Sequence, residues 1–384
     1  MKRLIFALTV GMLLAWQPCS SQRLLKKVGK QLENAANAVM QQTKEKEDEA
    51  PATTTTQRTT TTRTRTSQTS GTEYPEIDGL IYRVNMKARY AAVSKVGDVM
   101  WHETDTVYIP DYINYNGVRY PVKDIDKWAF KEETLTKIRL PYTLEEISEE
   151  AFMMTANLKS VTIPNRVKII KPGAFAGCGA SEVTLSRNLE VIDGRAFLGM
   201  DNLKSIEIPA SVKRIDMRAF AECGSLVSVK LPSGLTVLGK WAFRDCKALK
   251  SISIPYKVTS IGELAFSGCT SLASVSLPSG LKDIQGGAFS GCKSLKTIEF
   301  PASLTTIAGD AFSECGFVSL TIPATATDLK EFAFRDCMSL THVTISSQYK
   351  DFTKLAEIFS FSRRGGKLFD EKDVYNLKNF TFTD

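Results

Sequence analysis

Apolar and polar residues alternate in short runs along most of this chain. Runs such as LKSVTIP (158–164), LKSIEIP (203–209) and LKSISIP (249–255) carry an apolar side chain at every second position, which is typical of a half-buried strand. A proline ends each run, because a residue without an N–H cannot continue a hydrogen-bonded ladder. A second alternating segment follows, as in SVKRI (211–215), and it predicts a second short strand.

An Ala-Phe pair follows the two predicted strands and recurs ten times, at spacings of 22 or 23 residues. Five residues before each phenylalanine the chain has Ile or Leu. A unit of this size cannot bury its own apolar face and stacks on its neighbours, so the period predicts a repeat solenoid of about ten coils over residues 119–346. We expect a short helical turn at the Ala-Phe pair of each coil. The repeated phenylalanines are Phe130, Phe152, Phe175, Phe197, Phe220, Phe243, Phe266, Phe289, Phe312 and Phe334.

The unit IPASVKRIDMRAFAECGSLVSVKLP (208–232) resembles the BspA-like type of leucine-rich repeat, found in bacterial surface proteins. The segment IDGLIYRVN (77–85) is similar to the β-rich entry segment of such proteins, and it predicts an N-terminal cap over residues 73–118. Residues 347–384 are interpreted as a C-terminal cap, because a solenoid must cover the edges of its end coils. The resemblance implies a leucine-rich repeat fold and adhesion to host matrix proteins, other cells or glycans.

A cysteine occurs three residues after the phenylalanine in seven of the coils. In a solenoid these side chains form one column at the strand spacing of about 4.8 Å, which keeps their β-carbons further apart than the ~3.8 Å of a disulfide. Parallel side chains do not converge on a tetrahedral metal either. The column is therefore predicted to be buried thiols that act as small apolar fillers, and no metal or cofactor is expected. Its members are Cys178, Cys223, Cys246, Cys269, Cys292, Cys315 and Cys337.

The first 72 residues differ in character from the repeats. MKRLIFALTVGMLLAWQPCSSQ has a basic start and a short apolar run, which predicts a signal peptide over residues 1–21 and hence export. Cys19 is a candidate lipidation site, although WQP before it departs from the small residues of a lipoprotein signal, and cleavage near residue 21 is the favoured interpretation. Residues 22–49 predict an amphipathic helical segment, and the Thr-rich residues 50–72 predict a disordered stalk.

Charge limits the classes of partner. The net charge is +7, and residues 1–70 hold eleven Lys and Arg against five acidic residues, so the remaining chain carries only +1. A nearly neutral solenoid has no electrostatic reason to bind nucleic acid, and none is expected as a partner. Membrane association is expected only through a lipid anchor at Cys19.

The sequence contains few residues that could support catalysis. The two histidines are His102 and His342, and His342 shares an outward strand column with Ser319, so these two residues should be neighbours on adjacent coils. A nucleophile beside a base is the beginning of a catalytic triad, but no orienting acid follows in this column and the column faces open solvent. The protein is therefore predicted not to be an enzyme.

The middle of each first strand offers a candidate partner-binding face. These positions are mostly Ser and Thr, contain no aromatic residue, and are expected to form one continuous sheet face. Hydrogen bonding to a protein or peptide, from host matrix or another cell surface, is therefore favoured over a glycan. The nine positions are Thr162, Thr184, Glu207, Lys230, Ser253, Ser276, Glu299, Thr321 and Thr344.

These observations predict an exported, adhesin-like binding protein at the cell surface or outer membrane, with the periplasm or secretion as alternative locations. The other hypothesis that the sequence supports is a periplasmic structural or assembly component that oligomerises through the helix at residues 22–49.

Overall fold

The structure is a computed structural model, and it describes residues 71–97, 106–360 and 377–384. The predicted signal peptide with Cys19, the helical segment at 22–49 and residues 50–70 of the predicted stalk lie outside the described residues. The last two residues of the predicted stalk are described, and Thr72 begins the first strand of the fold. The repeat region is a β-solenoid of about ten coils, which confirms the predicted fold class.

The chain enters the solenoid through a group of mostly antiparallel strands. Three residues of β4 pair in parallel with β7, so the entry strands extend the same sheet as the first coils. The strands of this region are β1 (Thr72–Glu73), β2 (Glu76–Ile77), β3 (Leu80–Asn85), β4 (Tyr90–Val96), β5 (Thr106–Tyr108), β6 (Tyr112–Tyr115) and β7 (Val118–Ile125).

Most coils then contribute a first strand and a second strand, and the equivalent strands that pair between successive coils do so in parallel. The first strands are β8 (Lys137–Arg139), β10 (Ser160–Thr162), β12 (Glu182–Thr184), β14 (Ser205–Glu207), β16 (Ser228–Lys230), β18 (Ser251–Ser253), β20 (Ser274–Ser276), β23 (Ser319–Thr321) and β25 (His342–Ser346). The second strands are β9 (Glu146–Ile147), β11 (Ile169–Ile170), β13 (Val191–Ile192), β15 (Arg214–Ile215), β17 (Val237–Leu238), β19 (Ser260–Ile261), β21 (Asp283–Ile284), β22 (Thr306–Ile307) and β24 (Asp328–Leu329).

The Ala-Phe segment of each coil is a turn that bonds mainly to the next coil. The Phe243 N–H donates to the Ala265 carbonyl of the following coil at 2.8 Å, whereas the Ala242 N–H donates within its own coil to Gly239 at 3.3 Å. The bond within the coil is of the i to i−3 kind found in a 3₁₀ turn. The predicted helical turn is thus a single turn that does not continue into a helix, because every second N–H points to the neighbouring coil.

Residues with a left-handed backbone conformation allow this alternation of hydrogen bonds within one coil and to the next coil. The residues two before and two after every repeat phenylalanine have positive φ, fourteen of them non-glycine and six glycine. Trp241 (φ 57°) and Asp245 (φ 58°) are examples in one coil. Their N–H groups donate to the next coil at 2.8 and 2.7 Å. A left-handed residue with a side chain costs on the order of 1 kcal/mol, so these hydrogen bonds must offset a real strain.

The ten repeat phenylalanines form one continuous stack inside the solenoid. Neighbouring ring centroids lie 5.0–5.6 Å apart with interplanar angles of 1–13°. Every one of the ten is fully buried. A centroid distance above 5 Å between near-parallel rings indicates offset stacking, which aromatic quadrupoles favour over a face-to-face sandwich.

The seven repeat cysteines are buried free thiols, in agreement with the predicted packing role. The Cys246 Sγ donates to the Phe220 carbonyl of the preceding coil at 3.2 Å, so its weak donor is satisfied. Burial raises the pKa of Cys223 to about 12, which keeps this thiol protonated and unreactive. In two of the three coils without this cysteine, Thr155 and Met200 are equally buried at the same position, and in the first coil Glu133 is half-buried there.

The C-terminal end of the solenoid is covered by helix α1 (Phe352–Ile358) and strand β26 (Phe380–Thr383). Single 3₁₀ turns lie at Ser347–Tyr349 and Leu377–Asn379. The last carbonyls of a helix have no partner within it. Those of Glu357 and Ile358 accept from the N–H groups of Phe332 and Phe334, at 2.6 and 3.0 Å. The helix end therefore replaces the missing next coil.

A charged cluster joins the entry strands to the first coil. Arg83 on β3 donates two hydrogen bonds to the Asp126 carboxylate, at 2.8 and 2.7 Å. Asp124 lies 3.8 Å from the same guanidinium, with its side chain 22% exposed. Burial, followed by the negative charge of Glu146, raises the pKa of Asp124 to about 6. Asp126 is thus the principal partner of Arg83, and Asp124 is a carboxylate that the fold holds in an unfavourable environment.

The raised pKa of Asp124 predicts a pH-dependent gain of stability for Asp124→Asn. The folded state holds this proton up to about pH 6, whereas the ordinary pKa of the carboxyl group is 3.8, so the stabilising effect of the proton is complete below pH 3.8 and is lost as the pH rises through 6. At neutral pH the free energy of unfolding of the variant should be about 1–2 kcal/mol higher than that of the parent, after allowance for solvent screening. Urea titrations at neutral pH and near pH 4 measure the free energy of unfolding of both proteins. The advantage of the variant over the parent should vanish at the acidic pH.

Asp126→Asn is the matched control, because it removes a partner of Arg83 and should lower stability at neutral pH. An Asp124→Asn protein that is less stable than the parent at neutral pH would contradict this account.

Candidate binding surface

The nine predicted face residues lie on the first strands or at the equivalent position of their coil. Eight of them are exposed, and Thr344 is half-buried. The residue between the two outward positions of each strand points into the core, as Ile206 and Ile252 do with 5% and 4% of their surface exposed. The alternation that predicted the strands therefore also places these nine side chains on the solvent side.

The face is divided, which corrects the prediction of one continuous sheet. The first strands pair as β10–β12, as β14–β16–β18–β20 and as β23–β25–β26, with no regular strand assigned at residues 297–299. Glu299 lies in this interruption. With only three residues per strand, a small shift of one coil removes the ladder hydrogen bonds, and the sequence period does not reveal such shifts.

One ion pair marks the middle of this face. Glu207 and Lys230 are register partners on β14 and β16, and their charged atoms lie 2.6 Å apart. Their side chains are 70% and 76% exposed. Such a pair contributes little to stability, typically less than about 1 kcal/mol, so both charges are available to orient a partner.

Ser319 and His342 are neighbours on β23 and β25, as the sequence predicted. The Nδ1 atom of His342 lies 3.4 Å from the Thr341 hydroxyl, and no carboxylate of the described residues hydrogen bonds to this exposed ring. The pair therefore lacks the acid that fixes the tautomer of a catalytic histidine.

The described part of the chain offers neither a metal-binding cluster nor a membrane-spanning helix. Within residues 71–97, 106–360 and 377–384, no group of three or more His, Cys, Asp or Glu residues is arranged to hold a metal ion. None of the helices in these same ranges is long and apolar enough to cross a membrane.

A shallow depression lies on the second-strand side, near β9 and β11. Its charged groups largely pair with one another, since Arg166 lies 3.7 Å from Glu145 and Lys171 lies 4.0 Å from Glu146.

A second depression lies beside the hairpin of β6 and β7, and sequence reasoning did not find it. It is lined by Asp111, Tyr112, Asn114 and Arg119. The exposed ring of Tyr142 packs edge-on against Tyr112, with centroids 6.4 Å apart. The signal in the sequence was YINYNGVRY (112–120), in which Asn-Gly between alternating segments predicts a tight hairpin with residues 112, 114 and 119 on one face.

The likeness to one solved structure shows the same type of fold. The pneumococcal vaccine antigen PcpA is 17% identical, covers 81% of this chain and 97% of its own, and gives a TM-score of 0.50. A leucine-rich repeat protein from Bacteroides ovatus is 23% identical over 75% of this chain and 98% of its own, with a TM-score of 0.33. A leucine-rich cell surface protein from Faecalibacterium prausnitzii is 23% identical over 76% of this chain and 98% of its own, with a TM-score of 0.35.

No curated protein matched the chain. The family model described as "BspA type Leucine rich repeat region (6 copies)" matches residues 123–250, 195–316 and 265–383. These overlapping matches run from residue 123 to residue 383 and cover more than half of the 384 residues. The chain therefore belongs to the BspA-type leucine-rich repeat family.

Proposed function

We propose that the protein is an exported, non-catalytic binding protein of the cell surface or outer membrane that engages a protein or peptide through its first-strand face. The observation that carries this proposal is the exposure of eight of the nine face residues on a scaffold that buries its repeat apolar residues in one core. Membership of a repeat family typical of bacterial surface proteins supports the location. The predicted signal peptide supports export.

The chemistry of the face favours a polypeptide partner. Hydroxyl groups of Ser and Thr donate and accept hydrogen bonds, and a partner backbone offers both kinds of group. The nine positions include no aromatic ring on which a sugar could stack. Glu207 and Lys230 bring opposite charges side by side, which fixes register and specificity more than affinity.

Reversing the charges tests the face without removing the ion pair. Glu207→Lys combined with Lys230→Glu keeps the two opposite charges adjacent, so the melting temperature should not change. Binding to a responsive protein from a panel of immobilised collagen, laminin and fibronectin should weaken by roughly tenfold at low salt, where exposed charges count most. Surface plasmon resonance measures the affinity.

The matched control is Lys240→Glu with Glu263→Lys. This pair also joins adjacent coils, at 2.8 Å, but it lies on the Ala-Phe turns. It should leave binding unchanged. Equal loss of binding in both double variants, or no loss in the face variant, would contradict the proposed site.

Protease treatment of intact cells tests the location independently. A domain displayed at the surface is open to an added protease, so it should be lost from intact cells within minutes while a periplasmic marker survives. Protection of the chain until the outer envelope is permeabilised would contradict display and support a periplasmic assembly role.

A further inference from the structure

The hairpin of β6 and β7 presents a polar and aromatic face that the proposed function does not use. Its turn residues Asn116 and Gly117 have φ of 48° and 72°, as a two-residue type I′ turn requires. Asn114 and Arg119 are register partners, and Tyr112 lies two residues from Asn114 on the same side. The alternate residues of the two strands point into the core, so the hairpin is anchored from beneath.

The aromatic residues of this face are held in fixed positions. The Arg119 guanidinium lies 3.9 Å from the centre of the Tyr112 ring, and Tyr142 meets the same ring at an interplanar angle of 71°. The Tyr142 N–H donates to Asp111 Oδ1 at 2.8 Å, and the Thr143 hydroxyl donates to the Asp111 carbonyl at 2.9 Å. Tyr142 nevertheless keeps 56% of its surface exposed. The two hydrogen bonds hold the backbone of this segment and the contact with Tyr112 orients the exposed Tyr142 ring, which lowers the entropic cost of receiving a ligand.

The polar groups around the depression are complementary and incompletely used. In the described part of the chain, Arg119 makes no ion pair or side-chain hydrogen bond, so its N–H groups remain free to donate. Asp111 keeps one carboxylate oxygen beyond the one that Tyr142 occupies, and the exposed Asn114 amide both donates and accepts. One carboxylate and one guanidinium give the depression no net charge.

We propose that this depression binds a neutral saccharide, with one pyranose ring on Tyr142 and its hydroxyls bound by Asp111, Asn114 and Arg119. The weakly positive C–H groups of a sugar ring suit the negative face of an aromatic ring. Vicinal hydroxyls need both acceptors and donors, which these three side chains supply. An acidic ligand would meet the Asp111 carboxylate, and an apolar ligand would leave the polar groups unsatisfied.

The depression is open to solvent and has a volume of about 470 Å³. Its lining residues lie on or beside the entry hairpin and include none of the nine face residues, so it is a second binding surface rather than a restatement of the first.

Ligand-observed NMR and calorimetry on the full chain test the proposal. The probes are neutral tetrasaccharides of glucose, mannose and galactose, with tetragalacturonic acid as the acidic probe. At least one neutral probe should bind with a dissociation constant below about 5 mM. Tyr142→Ala should weaken that binding by at least about tenfold, and Arg119→Gln by about fivefold or more. Tyr142→Phe should retain most of the affinity, because it keeps the ring.

Tyr256→Ala is the matched control. Tyr256 follows Pro255 as Tyr142 follows Pro141, and it is 64% exposed beside Lys257. Unlike Tyr142, which borders the depression through its contacts with Tyr112 and Asp111, it lies in a later coil. The control should leave saccharide binding unchanged, as should the charge reversal of Glu207 and Lys230. Failure of every neutral probe, binding of the acidic probe alone, or full affinity in Tyr142→Ala would overturn the proposal. Binding of a neutral probe as expected would support the saccharide site even if the first-strand face bound no protein.

Discussion

The stack of one phenylalanine per coil is the interaction on which the rest of this structure depends. A coil of 22 or 23 residues cannot enclose an apolar core of its own, so its ring is buried only when neighbouring elements cover it on each side. Offset stacking at 5.0–5.6 Å sets the distance between coils. That distance brings the N–H groups of one Ala-Phe turn to the carbonyls of the next, and these hydrogen bonds in turn offset the strain of the left-handed residues on either side of each ring.

The same constraint explains how the two ends are built. A coil at the end of the stack has N–H or carbonyl groups without a neighbour, and such groups are costly when buried. At the C-terminal end the carbonyls of α1 accept from the last turn, and Phe359 extends the ring stack at 5.3 Å from Phe334. At the other end β4 continues the second-strand sheet. Arg83 on the neighbouring strand β3 donates to Asp126, which follows β7. Because the core and ends are satisfied internally, the exposed strand face and the entry hairpin remain available for binding.

The sequence predicted the features that repeat. The period, the buried phenylalanines and the inward Ile or Leu five residues earlier all follow from the 22- to 23-residue spacing, and the structure confirms them, with only Leu329 half-buried. The left-handed residues were not predicted, because residues such as Trp241 and Arg218 carry no signal for positive φ, unlike glycine. The Tyr112 and Tyr142 cluster was missed for a different reason. These rings are 30 residues apart and meet only because the chain winds once around the solenoid.

Chemical denaturation of two variants in one middle coil tests the central role of the ring stack most directly. Phe243→Ala opens a cavity between Phe220 and Phe266 and should lower the free energy of unfolding by about 3–5 kcal/mol. Cys246→Ala, in the same coil and equally buried, should lower it by no more than about 1–2 kcal/mol, because the thiol serves only to fill space. Equal losses in the two variants, or a larger loss for Cys246→Ala, would contradict the account.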